Sequence, residues 1–317
     1  MRKPDSSSSS ETSTLRIGAG EAGQRLDRYL VSQSDDVSRT SVQQLIVDGA
    51  VLVNGRPSKP GYALRTGDEV QILASKPKDQ ASTARPQPIP LDVAYEDQDV
   101  LIINKAAGMV VHPAPGHHED TLVNALLAHY PDLQKDVENQ RPGIVHRLDK
   151  DTSGLIIVAR NAAAQAALLG QMKRHEIVKR YLALVEGVVA LDRGSIDAPI
   201  GRNPRHRQQM AITATGSREA RTHFRVLERF AHHTLLLLEL ETGRTHQIRV
   251  HLKAIGHPIV GDPVYGSGST MRGVTLKRQF LHAYQLKFTH PSTGTVITVE
   301  APLPDDLQAV LNAKTFL

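Results

Sequence analysis

HRLDKDTSGLIIVAR, His146 to Arg160, sets a dense polar stretch directly against an apolar one. Its first ten residues hold Arg147 and Lys150, Asp149 and Asp151, two hydroxyls and a glycine, and they run straight into LIIVA. An uninterrupted, β-branched run of that length has the pattern of a buried strand. Asp-Thr-Ser-Gly is ordinary turn chemistry, so a solvated turn is one reading. The other places Asp149 on the rigid end of a buried strand, with Arg147 and Lys150 nearby to keep it ionised, as a catalytic carboxylate requires. Asp151 is the local rival, but its setting suits turn capping. Taken alone, such a stretch is more often a turn, and the neighbouring sequence has to decide.

Downstream, NAAAQAALLGQMKRH has helical composition, and KRYLALVEG alternates as a strand. REARTHFRVLERF and HTLLLLELETG read as neighbouring strands, while GRTHQIRVHLKAIG reads as a helix ended by its glycine. FLHAYQLKFTHP and GTVITVEAP form a strand pair before the short helix DDLQAVLNA, and upstream VAYEDQDVLIINKAAGMVVHP reads as two strands about a turn. Strands outnumber helices and mostly follow one another directly. The expected class is α+β, a mixed, largely antiparallel sheet with peripheral helices, spanning residues 90–317.

A different block lies ahead of it, over residues 15–75. Leu26, Tyr29 and Leu30 recur at helical spacing, Ser38 has the character of an N-cap, and Val42, Leu45 and Ile46 follow as a second inward face. AVLVNGR enters an Asn-Gly turn, with GDEVQIL as its later partner strand. Two short helices and a small sheet make a compact module that carries Arg25, Arg28, Arg39, Arg56 and Lys59. Residues 76–89, within KPKDQASTARPQPIP, have linker composition, and the Ser-rich tail 1–14 is expected to be disordered.

Composition narrows the function. The chain has 317 residues, no cysteine and a formal charge of +5. Without cysteine there are no disulfides, thiolate nucleophiles or cysteine zinc sites, which suits a reducing cytoplasm. No apolar run reaches bilayer length, so no membrane association is expected. GRNPRHRQQ carries Arg202, Arg205, His206 and Arg207, and MKRHEIVKR carries Lys173, Arg174, Lys179 and Arg180. Such clusters are the footprint of a polyanion, although each alone is more often a solvated face. With aromatics at only 4%, folded RNA read by shape and phosphate fits better than base stacking on single strands.

Three further signals bear on chemistry. Tyr181 lies on the KRYLALVEG strand, where a tyrosine is more often core. On a helix, His246 and Arg249 share a face, as do Arg249 and Lys253. Leu281 opens an apolar strand. HPAPGHHED offers His112, His117, His118 and Asp120, but no HExxH spacing occurs, and no P-loop or GxGxxG opens a helix after a strand. No metal and no nucleotide cofactor are expected.

HRLDKDTSGL, followed in order by KRYLALVEG, LETGRTHQIRVHLKAIGHPIVGDPVYG and FLHAYQLKFTHP, resembles the RluA-type family of RNA pseudouridine synthases. The likeness covers essentially everything from Pro90 onward, and the first block resembles the RNA-binding domain named after small-subunit ribosomal protein S-four. It implies a cofactor-free isomerase, with Asp149 as catalytic aspartate. Tyr181 would pack on the target base and take the C5 proton, Arg249 would pair with the aspartate, and Leu281 would lie beneath the base. Arg147 would fill the gap left by a flipped nucleotide, with Arg244, His246 and Gln247 as further substrate contacts. The implied partner is large-subunit ribosomal RNA or the assembling large subunit. NKAAG at Asn104–Gly108 departs from the Lys-Pro of relatives, at a place expected to touch no catalytic group. Two rivals remain: a non-catalytic RNA-binding assembly factor, and an Asp-dependent nucleosidase or glycosidase, against which stands the lack of a clear second carboxylate.

Overall fold

In the computed structural model the described residues are 13–33, 39–73, 84–113, 119–136, 142–206, 209–266 and 276–313. The chain divides into two units, residues 1–81 and 82–317.

In the first unit, β1 (Ser13–Arg16), α1 (Leu26–Ser32), α2 (Arg39–Val47), β2 (Val51–Val53), β3 (Arg56–Pro57) and β4 (Glu69–Ile72) follow in order. The four strands form an antiparallel sheet in the order β1-β4-β2-β3. Leu26, Tyr29 and Leu30 of α1 meet Val42 and Ile46 of α2 over Val51, Val53 and Val70, the face that the helical spacing indicates. Asn54 and Gly55 both take positive φ, 52° and 74°, the geometry an Asn-Gly hairpin turn needs. Ser38 lies outside the described residues. The strand starts at Ser13, inside the segment expected to be a disordered tail.

The second unit opens with β5 (Val93–Glu96), β6 (Val100–Lys105) and α3 (Leu122–His129). Next come β7 (Ser153–Ala159), α4 (Ala162–Lys173), β8 (Val178–Glu186) and β9 (Arg193–Asp197). The hairpin β10 (Ile200–Arg202) and β11 (Met210–Ile212) stands apart as its own two-stranded sheet. The chain then forms β12 (Arg221–Arg229), β13 (His233–Leu240), α5 (Gln247–Ala254), β14 (Leu281–Thr289), β15 (Val296–Glu300) and α6 (Asp305–Asn312). Nine strands form one sheet, eight of them in the order β5-β6-β7-β14-β8-β13-β12-β9, with β15 paired to Gln285–Thr289 of β14. The residues expected to be linker end differently. Asn124 donates to the Arg85 carbonyl at 2.8 Å, and His129 Nε2 meets the Ile89 carbonyl at 2.8 Å, so 85–89 lie along α3.

The decisive feature is the position of β14. This late strand lies between β7 and β8, parallel to the first and antiparallel to the second. Its opening residues, Leu281 to Ala283, face Ser153 and Gly154 on one side and Ala183 to Tyr181 on the other. The start of β7, the start of β14 and the middle of β8 therefore converge. Gly154 makes that approach feasible: its φ is +110°, and a Cβ there would lie 2.3 Å from the Ala283 carbonyl oxygen. Both faces of β7 are covered. Ile156 and Val158 enter the larger core, and Leu155, Ile157 and Ala159 enter a second core capped by Ala164 and Leu168 of α4. That double burial explains why LIIVA does not alternate.

Candidate active site

Asp149 sits on the loop that leads into β7, with its side chain 18% exposed. Several bonds fix this loop from below. The Lys150 carbonyl accepts from the Lys105 ammonium at 3.0 Å and from the Gly108 N–H at 2.9 Å. Thr152 N–H donates back to the Asp149 carbonyl at 3.1 Å. His146 Nε2 accepts the Ile157 N–H at 2.9 Å, pinning the loop's start to the strand it precedes. Burial, followed by the nearby Lys179 cation, pushes the His146 imidazole down to about 3, so it stays a neutral acceptor.

The cation that holds Asp149 comes from α5. Arg249 Nη1 donates to Asp149 Oδ2 at 3.1 Å. Its other edge forms a fork on Asp262, from Nε at 2.7 Å and from Nη2 at 2.9 Å. The side chains of Arg249 and Asp262 are 5% and 0% exposed. Burial alone would lower the guanidinium; the bonds and charge of Asp262, joined by Asp149, outweigh it and hold it raised. The carboxyl of Asp262, which burial would raise, is held low by the same pair and by the N–H groups of Val264 and Tyr265. Of the two carboxylates around this buried guanidinium, Asp262 is enclosed and Asp149 is the one that reaches solvent.

Tyr181, 6% exposed, points from β8 into the larger core alongside Leu281. Burial first, and then the charge of Asp149, raises its phenol, so it remains protonated. Its hydroxyl makes no hydrogen bond to another described residue. Leu281 is 3% exposed and pairs with Ala183, two residues beyond Tyr181. Arg147 is exposed and without a partner among the described residues. The structure thus brings Asp149, Arg249, Tyr181, Leu281, Arg147 and His246 to one place.

Several expectations need correction. Arg147 and Lys150 are not the cations that pair with Asp149; the side chain of Arg147 is turned to solvent, and Lys150 serves through its carbonyl. His246 precedes α5 in a left-handed conformation, with φ of 56°, and is not on the helix. Gln247 is 2% exposed and fully committed internally. Its Oε1 accepts from Thr242 and the Arg244 N–H, and its Nε2 donates to the Arg221 carbonyl and Thr222, so it builds the loop and does not face substrate. Arg244 Nε donates to the Glu219 carbonyl at 2.9 Å. In the first unit, Arg25 and Arg39 both bond the buried Asp27, while Arg28, Arg56 and Lys59 stay exposed without ion-pair partners among the described residues. The MKRHEIVKR cluster is not a free basic patch: Arg174 pairs with Glu176, Arg180 with Glu239, and Lys179 is buried, its ammonium pushed down to about 8 by that burial. Arg202 and Arg205 are exposed on the β10–β11 hairpin; Arg207 lies outside the described residues, as do His117 and His118.

Three residues of the site escaped sequence reasoning. Asp262 and Tyr265 lie in GDPVYG, where an Asp-Pro within flanking glycines reads as a turn; nothing local shows that it faces Arg249. Lys105 ends the apolar run VLIIN and is 1% exposed. Its ammonium donates to the carbonyls of Ala106, Met109 and Lys150, so the NKAAG turn does reach the Asp149 loop. Burial pushes it down to about 7, against the opposing pull of Asp151 and Asp149.

Comparison with known proteins supplies the family. Residues 99–254 match the RNA pseudouridylate synthase family, and residues 24–70 match the S4 domain. An uncharacterized RNA pseudouridine synthase of Bacillus subtilis is 49% identical over 92% of this chain and 94% of its own length. The ribosomal large subunit pseudouridine synthase D of Escherichia coli is 43% identical over 93% of this chain and 91% of its own length. Among solved structures, human RNA Pseudouridylate Synthase Domain Containing 1 superposes with a TM-score of 0.54 at 29% identity, covering 73% of this chain and 97% of that one. The order of the strands, the convergence on Asp149 and these likenesses lead to one assignment: the chain is a member of the RNA pseudouridine synthase family, with an S4 domain ahead of its catalytic unit.

Proposed function

We propose that this protein isomerises specific uridines of large-subunit ribosomal RNA to pseudouridine, with Asp149 as the catalytic carboxylate. The observation that carries the proposal is the single outward carboxylate of a buried Asp–Arg–Asp set, placed where three strands bring Tyr181 and Leu281 together. The reaction breaks the N1–C1′ bond, turns the uracil and rejoins it through C5, with one proton leaving C5 and one gained at N1. It needs an ionised carboxylate near C1′ and C2′ and an enclosure that retains the detached ring. Arg249 holds Asp149 in place, because its other donors are fixed on Asp262. Tyr181 and Leu281 supply walls for the flat ring. Since Tyr181 stays a phenol, any proton it takes from C5 must be matched by release of its own. The target base must first leave its stack, at a cost of a few kcal/mol, and the exposed Arg147 fills the gap. Arg28, Arg56, Lys59, Arg202 and Arg205 supply phosphate contacts. The substrate is large-subunit RNA or the assembling subunit, and the compartment is the cytoplasm; no cofactor enters the reaction.

The test is incubation of the protein with large-subunit RNA, followed by digestion and nucleoside analysis. Pseudouridine at discrete positions is the expected product. Free uracil would instead favour a nucleosidase, and tight binding with neither product a non-catalytic assembly factor.

A further inference from the structure

Tyr265 has no part in the chemistry described above, yet it meets both Arg249, which bonds Asp149, and Asp262, which fixes Arg249. It is 3% exposed. The Arg249 guanidinium carbon lies 5.0 Å from its ring centroid, the Lys253 ammonium lies 5.7 Å away, and the His246 ring meets it edge-on at 5.5 Å. Its own N–H donates to Asp262 Oδ1 at 3.0 Å. The Asp262–Tyr265 turn therefore grips Arg249 twice, by a carboxylate fork on the guanidinium edge and by an aromatic ring near its face. So held, the guanidinium has its Nη1 left to direct at Asp149.

The hydroxyl of the same tyrosine reaches elsewhere. It accepts the Met210 N–H at 2.8 Å, and it lies 2.8 Å from His246 Nδ1. With one lone pair taken by Met210, its proton is available to His246, whose neutral form burial favours. Met210 opens β11 and is the direct cross-strand partner of Arg202 on β10. Ile200, Val250 and Tyr265 share a small core of their own, with Met210 packed against it. The hairpin that carries Arg202 and Arg205 is thus bonded to the hydroxyl of the residue whose ring lies against Arg249.

We infer that Tyr265 is a positioning residue that couples engagement of the basic β10–β11 hairpin by RNA phosphate to the placement of the Arg249–Asp149 pair. This rests on the RNA-modifying reading above. It makes the hairpin more than an anchor: phosphate binding at Arg202 and Arg205 would fix Met210, hence the Tyr265 hydroxyl, hence the ring that covers Arg249.

A double-mutant cycle on the single-turnover rate at saturating RNA tests this. Tyr265→Phe keeps the ring and removes the link, and is expected to slow the saturated rate about tenfold, the size of one net hydrogen bond lost in the transition state. Arg202→Ala with Arg205→Ala is expected to slow it severalfold in the wild-type background and less than twofold in Tyr265→Phe. The same pair should raise the half-saturating RNA concentration alike in both backgrounds. Rate losses that simply multiply, or a Tyr265→Phe protein with the wild-type rate, would overturn the coupling. Should Tyr265→Phe fail to fold, the hairpin pair decides alone: a raised half-saturation with an unchanged saturated rate overturns the inference. The Arg249 Nε–H resonance gives a readout that needs no turnover. Added RNA should shift it in the wild type and leave it unmoved in Arg202→Ala/Arg205→Ala, whereas equal shifts in both contradict the coupling even if no pseudouridine forms.

Discussion

Arg249 shows why one residue type cannot be exchanged for its nearest relative here. Its fork on Asp262 and its single bond to Asp149 use the planar geometry of a guanidinium, which an ammonium lacks. Arg249→Lys is expected to cut the single-turnover rate at least a hundredfold while RNA affinity changes by only a few-fold; a rate within tenfold of wild type would show that charge alone suffices. Arg249→Ala is a poorer probe, because it strands the buried Asp262 carboxylate and should cost about 3–5 kcal/mol of stability. Lys105 carries a separate consequence. Its ammonium is depressed to about 7 in the folded chain, against the ordinary value near 10.4 when unfolded. Between those values the unfolded chain binds a proton that the folded chain does not, so this residue's contribution to stability grows as pH rises through that window. The stability gap between wild type and Lys105→Met should therefore widen by about 1 kcal/mol per pH unit from pH 7 to pH 9, measured by urea melts. A constant gap would mean that the amine titrates normally. At this scale the sequence was partly legible. The strands that carry or follow Asp149 and Tyr181 were readable from their apolar runs, whereas the two residues were singled out by the family resemblance, since locally each reads as turn or core. Asp262, Tyr265 and Lys105 were not legible: a turn sequence does not show that it folds back onto Arg249, nor an apolar run that its last residue reaches the Asp149 loop.

Elements place these residues, and the insertion of β14 between β7 and β8 does most of the placing. Every strand of that trio was legible in outline from apolar runs and alternation. Their order was not, since a late strand entering the middle of a sheet leaves no local mark in the sequence. Gly154 is where that order becomes a requirement. A methyl group there would meet the Ala283 backbone well inside contact distance, on a φ that side chains avoid. Gly154→Ala is expected to cost about 3 kcal/mol or more in denaturant unfolding, and to slow the reaction by moving the loop under Asp149. A cost below 1 kcal/mol would show that β7 and β14 can part without consequence. The start of α5 teaches the complementary lesson. GRTHQIRVHLKAIG has helical spacing throughout, yet Gln247 spends its amide closing the loop that precedes it, and His246 turns left-handed. Local side-chain bonds of this kind compete with helix at an N-terminus, so periodicity overran the boundary.

For the whole molecule, the Asp149–Arg249–Asp262 set lies within the second unit. The first unit presents Arg28, Arg56 and Lys59 without ion-pair partners among the described residues, and no part of the Asp149 set. A tethered RNA-binding unit raises the local concentration of substrate without acting on the transition state. A chain beginning at Ser82 should therefore keep the saturated single-turnover rate within a few-fold of full length. Its affinity should fall, and the slope of log affinity against log salt should become shallower by about 2–3, for three lost phosphate contacts. Loss of the saturated rate by a folded truncated chain would place the first unit in the active site. The division itself was legible from composition, whereas the true availability of each cation was not: Arg25, Arg39, Arg174 and Arg180 look alike in sequence and are consumed by carboxylates in the fold. The central claim is that Asp149 acts on the chemical step in ribosomal RNA, and the most direct measurement is a single-turnover assay of Asp149→Asn beside wild type on large-subunit RNA, with binding measured in parallel. The expected result is no detectable pseudouridine at RNA affinity within a few-fold of wild type; substantial pseudouridine formation by Asp149→Asn would contradict it.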